Sequence, residues 1–256
     1  MTAWLSVDTD DIVHFPSNRG HPNRSSQYMD EWKTSGYRAS EKLLQATDRF
    51  IQWVQDGPEI TVFLIAEQLD CPDFRIRMEK LLQMPNIVFG CHGWGHRCWS
   101  AWPEDIESFS AMLSTSRDRI SDFAGNSWRP RFRAPAGYIA KWMAAPLAAA
   151  GFNLDSSINP SRWVNRKMEG DWMSVKQSIE GIGIIEVPWL TSVIGPACGP
   201  ALSLFPFAIF AKRAWRKNSL RITSNPENEK CVALYWHLLD HNRKEGNWNP
   251  PISKSQ

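Results

Sequence analysis

Asn86-Ile87-Val88-Phe89-Gly90-Cys91-His92-Gly93-Trp94-Gly95-His96 is an apolar run that ends in two imidazoles. A short unbroken apolar segment of this kind reads as a strand buried on both faces. Gly93 and Gly95 then favour a loop built for close approach over a long helix. In a helical turn, residues i and i+4 share one face, so His92 and His96 can meet at one metal ion. They supply only two ligands, whereas a catalytic zinc-type site takes three and leaves a position for water. A second acidic strand end, Ser6-Val7-Asp8-Thr9-Asp10-Asp11, can supply the third. Taken alone, the spacing fits two ordinary surface histidines equally well, and Cys91 and Cys98 beside the motif leave a sulfur ligand conceivable.

Working outward, short apolar runs alternate with helical patterns. Strands are expected at Trp4–Asp8, Ile60–Ala66, Ile87–Cys91, Arg131–Ala134, Asn153–Ser156, Ile184–Val187 and Cys231–His237. Amphipathic helices are expected at Ala39–Gln55, Phe74–Gln83, Pro103–Phe123, Ile139–Ala150 and Pro200–Lys217. Pro103, Glu104 and Asp105 suit the first turn of the third. The alternation predicts an α/β fold with a parallel sheet and crossover helices. Polar or ionisable residues finish or follow several strands: Asp8, His92, Arg133, Asp155 and His237. In barrels of parallel strands, chemistry sits at those C-terminal ends.

Length and composition set the bounds. The 256 residues suffice for one large domain, and a net charge of +2 gives no reason to expect nucleic acid. Five cysteines without a CxxC pair do not make a disulfide framework. With no signal-peptide pattern at the N-terminus, a reducing, cytoplasmic location is expected. Fourteen tryptophans exceed what a core usually needs, so either packing or stacking on sugar faces accounts for them. Val13–Tyr37 reads as a long polar loop able to overhang the acidic strand end. The segment 200–217 combines Leu202, Leu204, Phe205, Phe207, Ile209 and Phe210 with Lys212, Arg213, Arg216 and Lys217. That pattern suits a core-facing helix with a basic last turn, and also a helix making peripheral membrane contact. The chain from Asn242 reads as a loose polar tail.

Together these strand ends resemble the polysaccharide deacetylase family, the NodB-homology domain of carbohydrate esterase family 4. The resemblance runs from Leu5 to about Asp240. It rests on five motifs in order: Val7-Asp8-Thr9-Asp10-Asp11, His92-Gly93-Trp94-Gly95-His96, Phe132-Arg133-Ala134-Pro135-Ala136-Gly137-Tyr138, Asn153-Leu154-Asp155-Ser156-Ser157-Ile158, and Leu234-Tyr235-Trp236-His237. The first motif departs from the common form, two adjacent aspartates then glycine, and is similar to the branch written D-x-D or D-x-E-D. Ile185-Glu186-Val187-Pro188 is similar to a further segment of that branch. Leu238-Leu239-Asp240-His241 replaces the proline and tryptophan that often follow the last histidine.

The resemblance implies a distorted (β/α)7-type barrel, one NodB-homology catalytic domain over 1–241 with a polar tail over 242–256. It implies a metal-dependent hydrolase that removes an N-acyl group, in the first place acetyl, from an amino sugar of a glycan or glycolipid. Asp10, His92 and His96 would hold a divalent metal, zinc first, with Asp11 the rival to Asp10. Asp8 would be the general base, with Arg133 holding it ionised. The backbone N–H of Ala136 would donate to the oxyanion. His237 would protonate the leaving amine, oriented by Asp155. Tyr138, Trp163 and Trp189 would line the substrate groove, with Trp94 packed beneath the metal ligands. A deformylase on a lipid-linked amino sugar, at the inner membrane face, or a cyclic-amide hydrolase would use the same constellation. An inactive carbohydrate-binding domain is the reading from another class, and the filled base, ligand and acid positions speak against it.

Overall fold

Strand β1 (Thr2–Asp8) is flanked on both sides by parallel neighbours, β2 (Ile60–Leu64) and the last strand of the chain. The structure is a computed structural model that describes residues 2–27, 30–55, 57–168, 171–228 and 230–252, the side chains of residues 163, 165 and 166 excepted. Seven strands form one all-parallel sheet. Beyond β2 come β3 (Ile87–Cys91), β4 (Trp128–Phe132), β5 (Leu154–Asp155) and β6 (Ile185–Glu186). A two-stranded hairpin, β7 (Thr191–Ser192) with β8 (Gly195–Pro196), stands apart, and β9 (Cys231–His237) pairs with β1. The curled sheet closes loosely where Trp189 bridges Ala233 in parallel. This is the expected distorted (β/α)7 barrel.

Helices cover its outside: α1 (Glu41–Val54), α2 (Pro72–Leu82), α3 (Ile106–Ala124), α4 (Ala144–Ala149), α5 (Trp172–Glu180) and α6 (Phe207–Asn218). Helix α1 buries Leu43, Ala46, Thr47, Phe50 and Val54, the one-sided spacing of an amphipathic helix. Asp105 caps α3, accepting the Ser108 N–H at 2.9 Å, so Pro103 lies outside the helix it was expected to begin. Helix α5 was not foreseen. Residues from Asn242 were expected to trail loosely, yet Trp248 is buried against His241.

Period-two alternation decides what enters the barrel. On β1, Ser6 and Asp8 point inward, where the Arg133 guanidinium bonds both. Trp4 also lies against that inner set, edge-on to Phe63 at 5.8 Å. On β9, Tyr235 and His237 lie inward while Trp236 packs outward against Phe50, Trp53 and Trp215. Gly90 is small for a reason: a Cβ there would stand 2.9 Å from the Phe63 ring. Every tryptophan with a described side chain is buried or half-buried, so most of the tryptophan excess is packing.

Helix α6 begins at Phe207 rather than at the expected Pro200, and its burial departs from the core-facing one of the two readings. Only Ala211 and Trp215 are buried on it, while Leu204, Phe205, Ile209 and Phe210 are exposed. No helix among the described residues is long and apolar enough to cross a membrane.

Candidate metal centre and active site

Strand ends of β1, β3, β4 and β9 converge. Asp8 pairs in register with His237 on the neighbouring strand. His92 follows β3 directly and is held by its other ring nitrogen: Nδ1 lies 2.8 Å from the Arg133 carbonyl. With the proton on Nδ1, the Nε2 lone pair is free to face a cation, the usual outer-shell arrangement of a ligating histidine. His96 arrives on a loop, as Gly93 and Gly95 favoured, rather than on a helical turn. Residues 92–98 form a loop in which Gly93 has φ +75° and His96 itself φ +61°. A non-glycine residue held there is uncommon and marks a site where geometry outranks backbone preference.

The loop brings His96 Nε2 to 2.5 Å from Asp10 Oδ1, and His92 Nε2 to 3.5 Å from Asp10 Oδ2. The ligand atoms of Asp10, His92 and His96 lie within 4.8 Å of one another, and all three residues are buried. Burial opposes ionisation of Asp10, but the His96 and His92 imidazoles beside it hold its carboxyl well below the ordinary range. Burial pushes the His96 imidazole down. Asp10 Oδ2 and both His96 nitrogens are buried without a hydrogen-bond partner among the described residues. Buried polar atoms are ordinarily paired, so Asp10 Oδ2 and the His96 ring, buried without a partner, fit a bound cation. The donor set, two imidazoles and a carboxylate, suits zinc and other first-row divalent metals.

Asp11 is fully engaged elsewhere. Its carboxylate accepts the Ser40 N–H at 2.7 Å and the Tyr37 hydroxyl at 2.9 Å, beside the Ser40 hydroxyl and the Ile12 N–H. It fastens the start of α1, where Ser40 caps Leu43. Burial pushes the Cys91 and Cys98 thiols up to about 12, and neither sulfur belongs to the groups of candidate ligand atoms that the described residues bring together.

Asp8 lies beside this cluster, its Oδ2 4.0 Å from His92 Nε2. Arg133 Nη1 donates to Asp8 Oδ1 at 2.6 Å, and its other nitrogens donate to Ser6 Oγ, Ser156 Oγ and the Ser156 carbonyl. The guanidinium is stacked over Phe63 and Tyr235, with its carbon 4.2 and 4.8 Å from their ring centroids. His237 belongs with Asp8 and Asp10 in a second group whose ligand atoms lie within 4.8 Å.

The carboxylate beside His237 is Asp240, not Asp155. Asp240 Oδ2 stands 3.8 Å from His237 Nδ1 and accepts the His237 backbone N–H at 3.0 Å, while Arg243 Nε holds Oδ1 at 2.9 Å. Burial alone would lower the His237 imidazole. Bonding to Asp240 and the charges of Asp10, Asp240 and Asp8 raise it to about 9. Sequence reading missed Asp240, although an acid three residues after a strand-end histidine was a usable signal. Asp155 instead accepts from Ser157 Oγ at 2.7 Å, and Ser157 Oγ accepts the Ala134 N–H at 2.7 Å. Burial raises Asp155 and, together with the nearby Asp155 charge, raises Glu186 well above the ordinary range. Asp155 therefore braces the loop after β4.

That loop carries Ala136 at φ +51° and Gly137 at φ +73°, and any Cβ on Gly137 would lie 2.7 Å from the Trp189 ring. Trp189 corrects another expectation: it is 5% exposed, donates Nε1–H to the Ser156 carbonyl and packs on Tyr235 at 4.5 Å. A ring with so little surface packs beneath the loop and offers no face to a sugar. Trp94 is buried, its Nε1–H donating to the Thr34 carbonyl of the long loop after β1. The Trp163 side chain lies outside the described residues. Tyr138 is 7% exposed and lies between two cations: Arg24 Nη1 donates to its hydroxyl at 3.4 Å and Lys167 Nζ lies 5.3 Å from the ring centroid, while His21, an imidazole pushed down by burial and these cations, meets it edge-on. Neither Arg24 nor Lys167 has a carboxylate partner among the described residues.

No family model matches the chain, and no curated protein sequence matches it. Among solved structures, one similar to it is described as a "putative polysaccharide deacetylase" from Mycobacterium smegmatis: TM-score 0.55 and 14% identity, with 94% of this chain and 78% of that one covered. A 4-alpha-glucanotransferase from Thermococcus litoralis superposes at TM-score 0.49 and 11% identity, over 98% of this chain and 35% of its own. At such identities the first likeness shows a shared fold.

Proposed function

We propose that residues 1–241 form one catalytic domain of the polysaccharide deacetylase type, a metal-dependent hydrolase that removes an N-acyl group from an amino sugar. The observation that carries this is the buried Asp10–His92–His96 cluster with its unpartnered polar atoms, set beside a carboxylate gripped by Arg133 and facing His237. The fold likeness agrees with it. Zinc held by Asp10, His92 and His96 would polarise an amide carbonyl and bring the pKa of water toward 7.

The chain's own groups supply the rest. Asp8 takes a proton from the attacking water, and Arg133 keeps that carboxylate charged and aimed. The Ala136 N–H donates to the developing oxyanion, its loop stiffened by Ser157 and Asp155. His237 gives its proton to the departing amine nitrogen, and Asp240 orients the ring. The cations around Tyr138 favour a second, narrower reading: a substrate bearing a negative group near the amino sugar, such as a lipid-linked phosphosugar carrying formyl or acetyl. Amine release from N-acetyl and N-formyl amino sugars, free and lipid-linked, is the test. Release should stop with chelator and return with zinc; no release from any member would defeat the reading.

The pH dependence tests Asp240. A histidine raised from 6.5 to about 9 contributes folding stability that is whole below about 6.5 and fades as pH rises through 9. The protonated acid likewise survives to the alkaline side. In Asp240→Asn the alkaline limb of the rate profile should move toward neutral pH, with zinc content unchanged. An unshifted limb would remove Asp240 from the site.

A further inference from the structure

The long connection between β6 and β9 carries exposed apolar side chains that no part of the proposed chemistry uses. Val193, at the tip of the β7–β8 hairpin, is 91% exposed; Phe205 is 83%, Ile209 60% and Leu204 57% exposed. A soluble surface carries single apolar residues without comment, but several large ones in one chain segment mark a contact. The hairpin packs on α6, so its tip and the start of that helix belong to one local unit. Charge tells what the contact is with. Between Glu186 and Glu227 the chain has no acidic residue and five basic ones, Lys212, Arg213, Arg216, Lys217 and Arg221. On α6 the residues Ile209, Arg213 and Arg216 follow one helical face, and Phe210, Arg213 and Lys217 an adjoining one. Apolar residues thus occupy the start of the exposed face and cations its later turns.

We propose that this unit docks the protein on an anionic membrane surface. Phe205, Leu204, Ile209 and Val193 enter the acyl boundary, and Arg213, Arg216 and Lys217 meet the headgroup phosphates. The patch is linked to the site by short chain. Gly199, five residues before Leu204, abuts the Tyr235 hydroxyl, and the Tyr235 ring stands edge-on to His237 at 5.7 Å. A docked molecule would therefore bring the strand-end site to the lipid interface. Docking stands on surface composition alone and survives even if the proposed hydrolysis fails.

The full chain is spun with vesicles of phosphatidylcholine alone and of phosphatidylcholine containing phosphatidylglycerol. Binding should be strong only to the second and weaken with salt. Phe205→Ser should weaken it by about tenfold or more, the worth of one buried aromatic side chain. Arg213→Glu with Lys217→Glu should weaken it by at least about 20-fold, at roughly fivefold per lost cation. Both variants should keep their circular dichroism and any turnover of a soluble N-acyl sugar. Equal binding to both vesicles, or variants that bind like the parent, would overturn the proposal. So would a self-association in solution that Phe205→Ser dissolves, since a second copy would then be the occupant.

Discussion

His96→Ala is expected to lose bound metal and activity together while the chain remains folded. Removing an outer-shell partner typically costs 10–100-fold in metal affinity, so removing a direct ligand should cost at least about 100-fold. Only Asp10 and His92 would remain, and two ligands do not make a zinc site. The fold should tolerate the change, because His96 sits in a loop and alanine inherits the same φ of +61°. A second readout needs no substrate. Metal present at about 1,000 times its Kd stabilises by about 4 kcal/mol, which at roughly 2–4 °C per kcal/mol raises Tm by about 10 °C. That rise should appear in the parent and vanish in His96→Ala. Two controls sharpen the result. Cys91→Ala should keep the metal, since its sulfur is not among the ligand atoms that converge with Asp10. Asp11→Asn should keep the metal while loosening the start of α1, which its carboxylate fastens through Ser40. Unchanged metal content in His96→Ala would sink the assignment.

What was legible in the sequence, and what was not, divides along local and non-local lines. Ile87–Cys91 and Cys231–His237 were read to the residue because a strand buried on both faces is an unbroken apolar run. Parallel strands with helical spacers predict a parallel sheet, and the family resemblance supplied the barrel in which strand ends share one rim, so Asp8, Asp10, His92 and Arg133 could be placed together. His237 followed from the same logic. The partner of His237 did not. Asp155 and Asp240 are both acids near strand ends, and only the path of the chain after β9 puts Asp240 against the imidazole. Trp189 was misjudged for a similar reason: an aromatic beside a strand end looks like a groove wall until Gly137 is seen lying on it. Helix α5 was missed because Asp171, its cap, follows a polar stretch with weak apolar periodicity. The exposed half of α6 could not be told from a core helix by pattern, since both carry an apolar stripe; which neighbours cover the stripe is a tertiary fact.

Asp8→Asn and His237→Ala should each slow hydrolysis by a factor on the order of 100 to 10,000, the usual loss when a positioned base or acid is removed. Metal content should stay near that of the parent in both, because neither residue belongs to the Asp10–His92–His96 cluster. The two differ in stability. Among the described residues, Asp8 is the one carboxylate bonded to Arg133, a guanidinium with no exposure. Asparagine still accepts a hydrogen bond but removes the countercharge, and an uncompensated buried charge costs about 3–5 kcal/mol. Asp8→Asn should therefore unfold at lower temperature, and the double variant Asp8→Asn/Arg133→Met should recover part of that loss without recovering activity. His237 is one-fifth exposed, and truncating it leaves Asp240 still bonded to Arg243 and to the backbone N–H of residue 237, so stability should change little. If the two groups serve successive halves of one reaction, Asp8→Asn/His237→Ala should lose far less than the product of the single losses. Metal analysis separates the two aspartates. Should Asp8→Asn strip the metal while Asp10→Asn retains it, the base and the ligand are exchanged, and the proton would have to leave through Asp10, which among the described residues has no guanidinium to hold its charge.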